Sequence, residues 1–324
     1  MTTILSDSDS YNTRFNIPKP RLPYKVDQHL SVRAHVPPEP TNSDCCLKFE
    51  ARRERESIDP VGRCGKHPPL PGVFTSGAAE LKTVRLVRAA DGYSAQLLAV
   101  RVLSSDINLP YNTDLLVKKY DPLHSDHEQD EAAYAKLADF QGSLIPRYYG
   151  SFSLSLSIDG TSSREVRLIL LEFVPGTCMV DLDPSKFTQS ERQAIMKEVI
   201  DAETTIYIHD VAHNDIHPRN VILVSFPPFD QARNIVLVDF GVAWVNRVTF
   251  PKFQEQFLLG VPISPLLRWI DIERLSGFDN WIDWDWKLWV EHNYEHTRGS
   301  ITEYMQEVFG PRDRGARQKA SVKD

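Results

Sequence analysis

A chain of 324 residues that is 41% hydrophobic, with 37 Lys plus Arg against 44 Asp plus Glu and a net charge of −7, has apolar content for a sizeable core or two lobes. Its acidic balance offers no general basic surface to nucleic acid or to an anionic membrane, and no apolar run approaches the roughly 18 residues of a membrane span. Cys45, Cys46, Cys64 and Cys178 form neither a CxxC pair nor a disulfide framework, Cys64 with His67 lacks a second ligand pair for zinc, and MTTILSDSDS has no signal-peptide character. The reading is an intracellular, cytoplasmic or nuclear protein without nucleic-acid or membrane partners.

Residues 1 to about 70 are rich in Pro, Ser and charge (NIPKPRLPY, HVPPEPTNS, ARRERES) and are expected to form a disordered leader. From Glu80 three β-rich runs follow, LKTVRLVRAA, QLLAVRVLSS and DLLVKKYDP, with turn signals at Asp91-Gly92 and Asn108-Leu109-Pro110. DEAAYAKLADF has helical spacing, and IPRYYGSFSLSLSI and VRLILLEFV return to strands. Five strands and one helix thus make a small lobe over residues 75–175.

Beyond Pro175-Gly176 the pattern turns helical. The longest helix is expected in TQSERQAIMKEVIDAETTIYIHD, where Thr188 and Glu191 have capping-box spacing. Two short apolar runs, NVILVSF and NIVLVDFG, read as strands. The spacing of Trp281, Trp284 and Leu288 suggests a helix packed on a core spanning 176–310, ahead of a charged tail at 311–324.

The chemistry-bearing stretch is His213-Asn214-Asp215-Ile216-His217-Pro218-Arg219-Asn220, with Asp239-Phe240-Gly241 downstream. Phosphoryl transfer asks little covalent chemistry of a protein. It asks for a carboxylate that orients a hydroxyl and for oxygen ligands holding Mg²⁺ against the phosphates. HNDIHPRN and VDFG resemble the HRDxxxxN catalytic loop and DFG magnesium loop of the protein-kinase-like superfamily, over about residues 80–300. The resemblance implies a bilobal α+β fold with a small antiparallel-sheet lobe and a mainly helical large lobe. It also implies ATP and Mg²⁺ as cofactors, Asp215 orienting the acceptor hydroxyl, and Asn220 and Asp239 on the metal.

The same resemblance asks for a strand lysine on the phosphates and a helical acid to pair with it. Alternation along DLLVKKYDP lets one of Lys118 and Lys119 face the nucleotide, and Lys118 is taken. Its partner should lie in HEQDEAAYAKL, where Glu128, Asp130 and Glu131 compete; Glu131 is taken, although the hydrophobic pattern favours Asp130. In ILLEFVPG the carbonyl of Glu172 and the amide of Val174 would bond the adenine, behind Leu171.

Three departures stand out. Ala90-Asp91-Gly92-Tyr93-Ser94-Ala95 stands where a glycine-rich lid is usual, which raises a pseudokinase acting as a scaffold as the alternative. His217 before Pro218 makes the loop more similar to the aminoglycoside and choline phosphotransferases, with His217 read as structural. The short chain after Gly241 lacks an APE-like motif, and the nearest resemblance is to the kinase-like proteins of filamentous fungi. The acceptor is read as a hydroxyl on a protein or small molecule.

Overall fold

The computed structural model describes residues 24–39, 54, 66–89, 95–120, 126–157, 163–227, 233–247, 258–270, 275 and 277–310. The degraded phosphate lid at 90–94, the cysteines at 45, 46 and 64, and the tail at 311–324 lie outside these residues. The described residues divide into two compact units. One is drawn from Met1–Gly142, Pro146–Val174 and Phe240–Val242, the other from Ser143–Ile145, Pro175–Asp239 and Ala243–Asp324.

The first unit is built on strands β1 (His29–Val36), β2 (Val73–Arg88), β3 (Ala95–Ser105), β4 (Leu115–Tyr120), β5 (Tyr148–Ser157) and β6 (Ser163–Glu172), with helix α1 (Asp126–Lys136). The strands are antiparallel and close into a barrel in the order β1-β2-β3-β4-β6-β5. Alternation explains the closure. Every second residue points inward: Leu30 and Val32 on β1, Leu98, Val100 and Val102 on β3, Phe152, Leu154 and Leu156 on β5, Val166, Leu168 and Leu170 on β6, all in one buried core.

Strand β1 corrects the reading of residues 1–70 as a disordered leader. HLSVRAHV alternates apolar and polar residues, and it pairs with β2 on one side and, through Val32 opposite Leu154, with β5 on the other. Its middle is thus paired on both sides, which covers the edge there.

On β4 the inward parity of Leu115 and Val117 continues to Lys119, which is 1% exposed inside the barrel. Its ammonium nitrogen lies 3.8 Å from the centre of the Tyr24 ring and has no hydrogen-bond partner among the described residues. Burial drives its pKa well below the usual lysine value. The same burial pushes the Tyr24 hydroxyl up to about 12, against a smaller opposing effect of Arg164.

A depressed folded-state pKa means that the unfolded chain binds the extra proton at any pH between the folded value and about 10.4. Stability therefore rises with pH through that window, and the cost is complete below it. Lys119→Met should stabilise the protein by about 1–3 kcal/mol at neutral pH and flatten the alkaline slope. Urea unfolding from pH 7 to 10 checks this, and a destabilised variant refutes it.

The second unit centres on α2 (Gln189–Ile208), whose buried face includes Ile195, Met196, Val199, Ala202, Glu203 and Ile206. Its start has the expected capping box: the Thr188 amide donates to Glu191 at 2.7 Å and the Glu191 amide to the Thr188 hydroxyl at 3.3 Å. Around it lie β7 (Thr177–Cys178), β8 (Val211–Ala212), β9 (Val221–Leu223), β10 (Ile235–Leu237), β11 (Trp244–Val245), and helices α3 (Pro265–Arg268), α4 (Trp286–Tyr294) and α5 (Glu303–Phe309). Strands β10, β9 and β7 form one antiparallel sheet and β11 pairs with β8. At the approach to β7, a side chain on Gly176 would meet the Leu223 carbonyl at 2.4 Å, so only glycine fits.

The tryptophan stretch differs from the expected helix. Trp281 ends a short 3-10 turn, and α4 starts only at Trp286 because Asp285 caps it, accepting from the Leu288 amide at 3.0 Å. The buried face is Trp286, Val290 and Tyr294, while Leu288 is exposed.

Candidate functional site

Strand alternation sends Lys118 to the face opposite Lys119, out of the barrel interior and toward α1. There its ammonium meets Asp130 at 2.5 Å, with both side chains buried. The partner of Lys118 is Asp130 and not Glu131. The reason is the stripe of α1: Asp130, Ala133, Tyr134 and Leu137, spaced i, i+3, i+4 and i+7, are fully buried, and Glu131 is rotated off that stripe. Asp130 also accepts from the Tyr120 hydroxyl at 2.8 Å and from the Phe240 amide at 2.9 Å. The Phe240 ring is buried edge-on to Tyr134, 5.4 Å between centroids, and Tyr134 stacks on Tyr148.

Glu131 instead accepts from the Ser151 hydroxyl at 3.2 Å. Burial raises its carboxyl to about 7, against the opposing hydrogen bonds of Ser151 and Tyr148. Leu171 and Glu172 end β6; the Glu172 amide donates to the Arg147 carbonyl, and Val174, just beyond the strand, is buried.

In the second unit the segments that carry Asn220 and Asp239 are brought together by a sheet register. Val221 pairs with Leu237, so Asn220, one residue before β9, stands opposite Val238, one residue after β10. The Val238 amide donates to the Asn220 carbonyl at 3.0 Å, and Asp239 follows with a left-handed φ of 70°. His213 is fully buried and is held between the two segments. Its Nε2 donates to the Val238 carbonyl at 3.1 Å and its Nδ1 accepts from the Asp215 amide at 3.4 Å. Burial lowers its pKa, outweighing the Val238 bond and the nearby Asp239 and Asp215, and it is neutral at pH 7.

Asp215 and Asn220 are directly linked: Asn220 Nδ2 donates to the Asp215 carbonyl and to its Oδ2, each at 2.8 Å. Both bonds use the amide nitrogen, so the atom Asn220 can offer a cation is Oδ1. Asn220 Oδ1 and the Asp239 carboxylate are both oxygen donors of the kind a hard cation takes.

Arg219 was not singled out by the sequence reading. It places Nη2 on both oxygens of Asp215, at 2.6 and 2.8 Å. His217 Nδ1 accepts from the Arg219 amide at 3.3 Å, and its ring packs so closely on Gly277, at φ 84°, that a side chain there would lie 2.3 Å from Nε2. Burial and the Arg219 charge lower the His217 pKa.

Residues 158–258 match the family described as the ABC1 atypical kinase-like domain. The chain is also similar to serine/threonine-protein kinase 17A of Oryctolagus cuniculus, 30% identical over 100 residues, which cover 29% of this chain and 23% of that protein. The chain thus aligns with under a quarter of the length of that relative. Both similarities support a place in the protein-kinase-like superfamily, and the mixed helix-and-antiparallel-sheet architecture agrees with it. The family match spans Asp215, Asn220 and Asp239 but stops short of Lys118 and Asp130. No helix among the described residues is long and apolar enough to cross a membrane.

Proposed function

We propose that this chain is an ATP-dependent phosphotransferase with a bilobal kinase-like fold, moving the γ-phosphoryl group to a hydroxyl acceptor with Mg²⁺. The observation that carries the reading is the joined Asp215, Asn220 and Asp239 set. Asn220 Nδ2 donates to Asp215 Oδ2, and the Val238 amide, next to Asp239, donates to the Asn220 carbonyl.

In this reading Asp215 orients the acceptor hydroxyl and takes its proton as the oxygen bonds to the γ-phosphorus. The bond from that phosphorus to the bridging oxygen breaks, and ADP leaves with the bond's electron pair. Asn220 Oδ1 and the Asp239 carboxylate would hold Mg²⁺, which would supply charge neutralisation at the phosphates. Lys118, paired with Asp130, contacts the phosphates; Glu172 and Val174 offer backbone groups to the adenine. His213 fixes the segment between β10 and Asp239 through the Val238 carbonyl and stays out of the proton path.

Thermal-shift titration with ATP, with and without Mg²⁺, tests the nucleotide site. A ligand bound at ~100 times its dissociation constant adds about 2.7 kcal/mol to the native state. The magnesium-dependent rise should vanish in Asp239→Ala and persist in Asp215→Asn, which should instead lower turnover by ~10²–10⁴. No rise at millimolar ATP would reject the reading in favour of a pseudokinase scaffold, the alternative that the missing glycine lid motivates.

A further inference from the structure

Arg219 stands out because it occupies the carboxylate on which the proposed reaction depends. Its two bonds to Asp215 both come from Nη2, so among the described residues Nη1 and Nε make none. Its side chain is 44% exposed. The base from which it emerges is rigid. The Arg219 amide is held by His217, Pro218 to Asn220 form a 3-10 turn, and the Cys178 thiol donates to the Arg219 carbonyl at 3.1 Å.

Asp215 Oδ2 also accepts from Asn220, so an incoming hydroxyl competes with two donors for one carboxylate. An exposed ion pair of this i,i+4 kind is weak, and Arg219 can leave it at little cost if another anion takes its place. A neutral acceptor offers the guanidinium no such exchange, and a cationic one is repelled by it. A carboxylate or phosphate meets the guanidinium's flat fork with two parallel hydrogen bonds.

We propose that Arg219 is a specificity residue, selecting acceptors that carry a phosphate or carboxylate beside the hydroxyl to be phosphorylated. On binding, that anion draws Arg219 off Asp215 and so frees the carboxylate for the hydroxyl. This rests on the phosphotransferase reading, but the anion site itself is testable apart from it.

The experiment is a thermal-shift titration of the full chain, at constant ionic strength, with glycerol 3-phosphate, glycerol and choline, beside a separate Mg-ATP titration. Glycerol 3-phosphate should raise the unfolding midpoint; glycerol and choline should not. Arg219→Gln should weaken glycerol 3-phosphate roughly tenfold or more, the loss of a charge-assisted bond, while retaining the Mg-ATP shift. Arg219→Lys, which keeps the charge without the fork, should fall between. An equal response to choline, no response to glycerol 3-phosphate, or a response that survives in Arg219→Gln overturns the proposal. A wild-type chain that ignores Mg-ATP yet binds glycerol 3-phosphate through Arg219 refutes the phosphotransferase reading and leaves the anion site standing.

Discussion

Asp130→Ala should destabilise the protein by about 3–5 kcal/mol, the cost of leaving a buried charge unpaired. Asp130 is fully buried and accepts from Lys118, Tyr120 and the Phe240 amide, so its removal strands the Lys118 ammonium, itself 4% exposed, and two further donors. Pairing it with Lys118→Met should recover much of the loss, because the stranded cation goes with it. Urea unfolding of the four proteins measures this directly. A loss under 1 kcal/mol in the single variant would show that Asp130 does not hold Lys118.

Glu131 gives the contrast. Its carboxyl is raised to about 7, so the folded chain holds a proton that the unfolded chain gives up above the ordinary glutamate value of 4.5. Stability from this group is complete below about pH 4.5 and is lost as pH rises through 7. Glu131→Gln should therefore be nearly neutral at pH 4 and stabilising by about 1–2 kcal/mol at pH 8, less than the full shift because the side chain is only partly buried.

The second large effect is expected at Glu203. On α2 it receives Arg268 through both oxygens and the Trp269 indole at 3.1 Å, and Arg268 also lies 3.4 Å over the Tyr207 ring. Both charges are nearly fully buried. Glu203→Ala should cost about 3–5 kcal/mol, again because the partner stays behind as an uncompensated charge, whereas the Glu203→Leu, Arg268→Leu pair should lie close to wild type. A chemical denaturation series separates the two cases, and an equally destabilised double variant would mean that packing and not charge is what the pair supplies.

Much of this was legible in the sequence because the relevant signals are periodic. Strands β3 to β6 follow from alternation and α2 from its capping box, and alternation also puts Lys118 and Lys119 on opposite faces of β4. The acid on α1 was misjudged by one position. A helix turns 100° per residue, so neighbours have different surroundings, and only the stripe of Asp130, Ala133, Tyr134 and Leu137 tells them apart. Strand β1 was hidden for another reason: HLSVRAHV alternates cleanly but is flanked by prolines at 18, 20, 23, 37, 38 and 40, and that composition outweighed a short pattern. The Arg219 contact had no signal at all, since charge spacing of i,i+4 is common on any solvated turn.

The barrel closure also sets an order of events. Strand β1 precedes its second partner β5 by more than a hundred residues, with Val32 against Leu154, so one of its edges has nothing to pair with until β5 has been made. Such distant pairing carries a large loop-closure cost and slows folding. Until then that edge of β1 offers unpaired backbone groups to any other strand that meets it.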